Sequence, residues 1–242
     1  MNMPVVVEIN EKKATHIDFD DIFAYLNKTE ERFSVFKYTS EISAINRGEV
    51  KESERSLEMR EIFKLSEETK KITGGYFDIV DCNNKYNPSG IVKGSAIWNC
   101  ANILRKKNFN NFYVEVGGDI EVSGLNSENK KWRIGIQNPF STKRESVKNL
   151  HITNMGIATS GTYIRGQHIY NPLNKSMELN DVVSLTVIGP NVFEADRFAT
   201  AGFAMGLNGI NFIEKLEGFE GYQIDKDGIA TMTSGFNKYL LE

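Results

Sequence analysis

The chain has 242 residues, of which 40% are hydrophobic and 25% charged, and a formal net charge of -3. This is an ordinary globular composition with enough apolar residues for a sizeable core, and the small acidic excess gives no general pull toward nucleic acid or an anionic membrane. No apolar run reaches bilayer length, so a membrane span is excluded and an anionic ligand has to be met by local charge.

In chain order, the first twenty residues show neither a basic-then-apolar leader nor a lipobox-like pattern, which predicts a cytoplasmic protein. "VVVEI" from Val5 reads as a strand, and "DFDDIFAYLNKTEERFSVF" predicts an amphipathic helix with Phe19, Ile22, Phe23 and Leu26 inward. "SEISAIN" predicts a short helix capped by Ser40. "SLEMREIFKLSEETKKITGG" predicts a longer one with Leu57, Ile62, Phe63 and Leu65 inward and a glycine pair beyond its end. A further helix, "GIVKGSAIWNCANILRKKN", is entered through Gly90 and Gly94 and closes on basic residues, as a helix C-terminus favours.

Strands then accumulate in "NFYVEVGGDIEVSG", "KWRIGIQN", "SVKNLHIT", "GIATSG", "QHIYNP" and "DVVSLTVIGP", several of them joined by turns short enough for antiparallel pairing. Helices mostly in the first half and strands in the second predict an α+β fold, residues 1–242 forming one domain, and not a doubly wound α/β sheet. The two cysteines, Cys82 and Cys100, have neither metal-ligand nor redox-pair spacing and read as reduced structural thiols. Oligomeric state is not encoded in any pattern, and a monomer or weak dimer is the expectation.

Three stretches are chemically unusual. In "NPSGIVKGSA" Lys93 lies between two glycines ahead of a helix, an arrangement that suits a phosphate or, more blandly, a tight turn; the spacing is not that of a P-loop. In "GIATSGTYIRGQHIYNP" a hydroxyl-rich segment leads to His168, one of three histidines, either a satisfied polar residue or a proton carrier. Ser160 there has no nucleophile elbow around it, which argues against a serine hydrolase.

The third stretch is "GPNVFEADRFATAGFAMG". Asn191 is a good N-cap and Glu194 completes a capping-box-like pair, so the helix starts near Val192 and carries Asp196 in its interior. Asp196 and Thr200 share a face among alanines, glycine and phenylalanines. A buried carboxylate needs a cation, and Arg197 is poorly placed to supply it from the adjacent position. A salt bridge from elsewhere and a hard-oxygen site for a divalent cation both satisfy that need.

Taken together, "NPSGIVKGSA", "VEVGGDIEVSG", "KWRIGIQNPF", "GIATSGTY", "HIYNPLNK" and "ADRFAT" are collinear with segments of the FAD:protein FMN transferase family, the ApbE-like proteins once described as thiamine biosynthesis lipoproteins. "FSVFKYTSEISAINRGE" and "TGGYFDIV" extend the resemblance upstream. It implies a Mg²⁺-dependent transfer of FMN from FAD to a Thr or Ser hydroxyl of a flavin-acceptor protein, with release of AMP. The family motifs place Asp196, Thr200 and the Gly90 carbonyl on Mg²⁺. They place Phe36, Tyr76, Phe77, Asp78, Asn87, Lys93 and Tyr170 near the FAD, and give His168 an acid-base or positioning role. Asp119 in "GGDI" matches a family acid with no role beyond a turn.

The chain departs from the family pattern where Asn87 and Pro88 replace an acid and its neighbour, where Asn171 and Lys175 replace an acid and a glycine, and at Trp98 and Ala199. The replaced acids weaken the expected hold on Mg²⁺ and FAD. A FAD pyrophosphatase using the same site, or a flavin-binding relative without catalysis, are therefore the alternatives. The turn at Asp227 and Gly228 in "DGIATMT" reads as a hairpin between final strands and not as a self-flavinylation site.

Overall fold

The computed structural model describes residues 3–141, 143, 145–161, 170–174 and 181–240. Its strands are β1 Val5–Ile9, β2 Phe112–Val116, β3 Asp119–Ser123, β4 Trp132–Gln137, β5 Ser146–Ile152, β6 Met155–Gly161, β7 Val182–Gly189, β8 Glu220–Asp225 and β9 Ala230–Met232. Its helices are α1 His16–Phe33, α2 Glu41–Asn46, α3 Leu57–Ile72, α4 Ser89–Lys106, α5 Val192–Ala204 and α6 Gly209–Glu214. Among the described residues seven strands form one sheet in the order β1-β2-β3-β6-β7-β8-β9, every pairing antiparallel, and β4 with β5 forms a separate ribbon.

Side-chain alternation along the strands sorts the core into layers. Ile120, Val122, Ile157, Ile188, Tyr222 and Ile224 pack against Trp132, Ile134 and Ile136 of the ribbon. On the other face Ala158, Leu185 and Val187 meet Ala195, Phe198, Ala199 and Phe203 of α5 and Ile210 and Ile213 of α6, while Val114 and Val116 meet α1 and α4. Helices, sheet and ribbon thus make the mixed helical and antiparallel architecture that the segregation of helix and strand patterns predicts.

Helix α1 buries Ile22 and Leu26 as expected, yet Phe23 is exposed; its inward stripe continues through Thr29, whose hydroxyl donates to the Tyr25 carbonyl. Helix α3 likewise turns Leu57 to solvent and buries Met59, Ile62, Ser66 and Thr69. The hydroxyls of Ser66 and Thr69 satisfy themselves on carbonyls one turn back, so polar residues take places that a hydrophobic count assigns elsewhere. Ser40 caps α2 by accepting from the Ser43 N–H. Cys82 and Cys100 are unpaired, and burial pushes the Cys100 thiol up to about 12. Among the described residues no helix is long and apolar enough to cross a membrane.

Candidate active site

Between the ribbon and the α4–α5 pair opens a cleft of about 300 Å³. One end of it is built by β3. Gly117 and Gly118, with φ of 61° and 94°, join β2 to β3 through a two-residue turn that requires positive φ at both places, so Asp119 stands opposite Val116 as the first residue of β3. Because Ile120 and Val122 face the ribbon, the alternating acids Asp119 and Glu121 face the helices, where both are buried.

Glu121 serves the framework. One of its oxygens accepts the Val192 N–H at the start of α5 at 2.8 Å and the other pairs with Arg105 at 2.6 Å, an anion on a helix N-terminus. Burial still pushes its carboxyl above the usual range. Asp119 is tied differently: its Oδ1 accepts the Thr159 N–H at 3.1 Å, and its Oδ2, otherwise without a hydrogen bond, lies against the Lys93 ammonium.

Helix α5 begins at Val192, with Asn191 accepting from the Glu194 N–H at 3.0 Å. The Glu194 carboxylate turns to Arg197 instead of back to the cap, and Arg197 also donates to Thr69 Oγ1 at 3.0 Å. Arg197 therefore leaves Asp196 to other partners. Asp196, 3% exposed, accepts the Gly94 N–H on Oδ2 at 2.7 Å and has Lys93 Nζ 3.6 Å from Oδ1. Burial pushes its carboxyl upward, Lys93 draws it back down, and the nearby Asp119 adds to the rise.

Gly90 and Gly94 prove to lie inside α4, which starts at Ser89, and not in an entry loop. A Cβ on Gly90 would stand 2.9 Å from Thr200 Cγ2, and one on Gly94 would stand 2.7 Å from Asp196 Cβ. The glycines let the two helices cross at near backbone contact, so that Thr200 Oγ1 donates to Gly90 O at 3.4 Å and Asp196, one turn earlier on α5, accepts the Gly94 N–H; Asp196, Thr200 and Gly90 all line the cleft.

The family model described as the ApbE family matches residues 1–81 and 83–222. The chain belongs to the ApbE family. Among its relatives, the Escherichia coli K12 protein named FAD:protein FMN transferase is 29% identical over 153 residues, 60% of this chain and 44% of that protein. The Haemophilus influenzae protein of the same name is 30% identical over 165 residues, covering 64% of this chain and 48% of the relative. The matches thus span less than half the length of these curated relatives. The solved structure titled Flavin Transferase ApbE from Vibrio cholerae superposes with a TM-score of 0.85 at 23% identity, covering 99% of this chain and 96% of that one. The ApbE protein of Thermotoga maritima has a TM-score of 0.84 at 20% identity over 99% and 96% of the two chains. Both share the fold.

Of the residues that the ApbE resemblance singles out, Tyr76, Phe77, Asp78, Asn87, Gly90, Lys93, Tyr170, Asp196 and Thr200 all line the cleft. Asp78 is paired with Lys70 at 2.6 Å. Tyr170 donates to the Val80 carbonyl, and its own burial, with Asp78 close by, pushes the phenol up to about 12. Phe36 does not share that wall: it is 96% exposed on the segment between α1 and α2. His168 and Lys175 lie outside the described residues, as does the first half of the expected "QHIYNP" strand, residues 167–169.

Among the described departures from the ApbE pattern, Asn87 lines the cleft itself, and Pro88 and Asn171 are each flanked in sequence by residues that line it. Asn87 Oδ1 accepts the Ser89 N–H at 3.3 Å, a task at a helix start that needs an acceptor and not a charge. Trp98 stacks under Arg105 at 4.4 Å, Ala199 is buried in the α5 core, and Asn171 accepts the Leu173 N–H at 3.0 Å. The loss of negative charge expected from the replaced acids therefore falls, among the described residues, on Asn87 in the cleft wall and on Asn171 between the cleft residues Tyr170 and Pro172. Conversely, the sequence reading missed Asp119, Thr159, Arg133 and Gln137 as cleft residues. Alternation after the glycine turn of "VEVGGDIEV" is the signal that turns Asp119 toward the helices.

Among the described residues no three His, Cys, Asp or Glu side chains stand close enough to hold a metal by themselves. The oxygens of Asp196, Thr200 and Gly90 fit a hard cation of the Mg²⁺ class all the same. That ion accepts one carboxylate with neutral oxygens when phosphate oxygens complete its shell. At Gly90 a Cβ would fill the close approach to Thr200, and without one the carbonyl stays within reach of the Thr200 hydroxyl.

Proposed function

We propose that this ApbE-family protein is a Mg²⁺-dependent FAD:protein FMN transferase, residues 1–242 acting as one transferase domain. The observation that carries the reading is that Asp196, Thr200 and Gly90 line one cleft at the α4–α5 crossing, with Thr200 Oγ1 donating to the Gly90 carbonyl and the Lys93 ammonium 3.6 Å from Asp196 Oδ1. Such a set suits a pyrophosphate and suits phosphoryl transfer, which needs charge neutralisation and in-line positioning more than a protein nucleophile.

In the proposed reaction the hydroxyl oxygen of a Thr or Ser on an acceptor protein forms a bond to the FMN-side phosphorus of FAD, the bond from that phosphorus to the AMP oxygen breaks, and the hydroxyl proton is lost. Mg²⁺, when bound, would neutralise charge on the pyrophosphate oxygens. Asp196, Thr200 and the Gly90 carbonyl would hold it, Lys93 would add a positive charge at the phosphates, and His168 is assigned the departing proton. Tyr76, Phe77, Asp78, Asn87 and Tyr170 would bound the FAD.

The test is incubation of the protein with FAD, Mg²⁺ and a candidate acceptor peptide. AMP release with an acceptor mass gain of one FMN less one water is the expected result. AMP without a mass gain, over a panel of Thr and Ser acceptors, would make the protein a pyrophosphatase. Bound FAD with no AMP at any Mg²⁺ concentration would leave only a flavin-binding relative.

A further inference from the structure

Lys93 is shared by two buried carboxylates, and the sharing is unequal. Its ammonium lies against Asp119 Oδ2 and stays 3.6 Å from Asp196 Oδ1. Each acid has its other oxygen fixed by a backbone amide, Asp119 by Thr159 and Asp196 by Gly94. The residual oxygens are therefore held in place while the lysine, a compact charge on a flexible stem, settles on one of them.

We propose that Asp119 is a positioning residue that holds the Lys93 ammonium and so leaves the Asp196 carboxylate open to a divalent cation. The inference rests on the cation reading of Asp196 given above. Among these three groups, two carboxylates and one ammonium leave one negative charge in excess, a suitable balance for receiving a divalent ion and then an anionic pyrophosphate. Without the Asp119 carboxylate, the acid nearest to Lys93 among the described residues is Asp196. The 3.6 Å gap would close, and the lysine would occupy the oxygen the cation needs. Asp119 comes from the sheet and Lys93 and Asp196 from two helices, so the device exists only where β3 meets the α4–α5 crossing.

A general loss of negative potential would also weaken cation binding when Asp119 is removed, so the test is a double-mutant cycle with Lys93→Met. Mn²⁺ is titrated into the whole protein and the free ion is read by its electron paramagnetic resonance signal. Asp119→Asn is expected to weaken Mn²⁺ binding by about tenfold in the presence of Lys93 and by less than about twofold in the Lys93→Met background, within the range of coupling seen for charges in contact. Equal weakening in both backgrounds, or none in either, would overturn the proposal and leave the cation reading standing. A wild-type protein that takes up no Mn²⁺ would overturn both. Should Asp119→Asn not fold, as judged by near-ultraviolet circular dichroism, Asp119→Ser is carried through the same cycle and read in the same way.

Discussion

Gly94 and Asp196 meet across the α4–α5 crossing so closely that a Cβ on the glycine would stand 2.7 Å from the Cβ of the acid, while the Gly94 N–H donates to Asp196 Oδ2 at 2.7 Å. One contact sets both the spacing of the helices and the direction of the carboxylate. Gly94→Ala gains helix propensity but forces the helices apart. The expected outcome is a net loss of about 1–3 kcal/mol in urea unfolding, as for overpacked cores. AMP release should fall by about a hundredfold, because displacements near 1 Å cost that much at a reacting centre. Unchanged kinetics in a destabilised variant would separate the crossing from the chemistry.

Asp196→Asn tests the acid itself. The amide oxygen can still accept the Gly94 N–H, Lys93 keeps Asp119, and the cost of a buried charge disappears. AMP release is expected to vanish while the metal-free variant melts no lower than wild type. A large fall in melting temperature would mean that the carboxylate is a structural element.

Thr200 separates the hydroxyl from the packing. Thr200→Ser keeps the oxygen that approaches Gly90 and should retain AMP release within a few-fold. Thr200→Val keeps the shape without the oxygen, and should lose roughly a hundredfold, the scale for removing one polar partner of a reacting phosphate or oxyanion. Equal rates for the two variants would remove Thr200 from the ligand set.

Acid stability has a marker far from the cleft. Lys107, then the Thr15 backbone and side chain, hold the Asp18 carboxyl down to about 2 from an ordinary 3.8. The folded value is the lower one, so Asp18 contributes stability above pH 3.8 that is lost as pH falls from 3.8 toward 2. Melting temperature followed across that window should drop less steeply in Asp18→Asn than in wild type, with a lower plateau at neutral pH. Parallel curves would show that the ion pair contributes nothing.

The loop between β8 and β9 yields a negative control. Asp225 Oδ1 accepts the N–H groups of Asp227 and Ile229, and β8 and β9 pair through Tyr222–Met232, Gln223–Thr231 and Ile224–Ala230, so the "DGIATMT" segment is a hairpin. Incubation of the protein alone with FAD and Mg²⁺ is expected to leave its intact mass unchanged. A gain of one FMN less one water would identify an acceptor within the chain.

Local rules were sufficient where the signal is local. The start of α5 at Val192, the cap at Asn191, the interior place of Asp196 and its common face with Thr200 all follow from helical periodicity and capping chemistry. The same rules yield the α+β class, the hairpin turns and the failure of Arg197 to reach its neighbour. They also leave Asp196 with two equally good partners, a cation from the protein or a metal ion. Only the packing of β3 against two helices supplies Lys93 as the protein's cation and Asp119 as its second anchor. It likewise turns Gly90 and Gly94 from a supposed loop into the contact surface of a helix crossing. Those outcomes depend on side chains that are remote in sequence and meet through burial, and a periodicity read one segment at a time has no term for them.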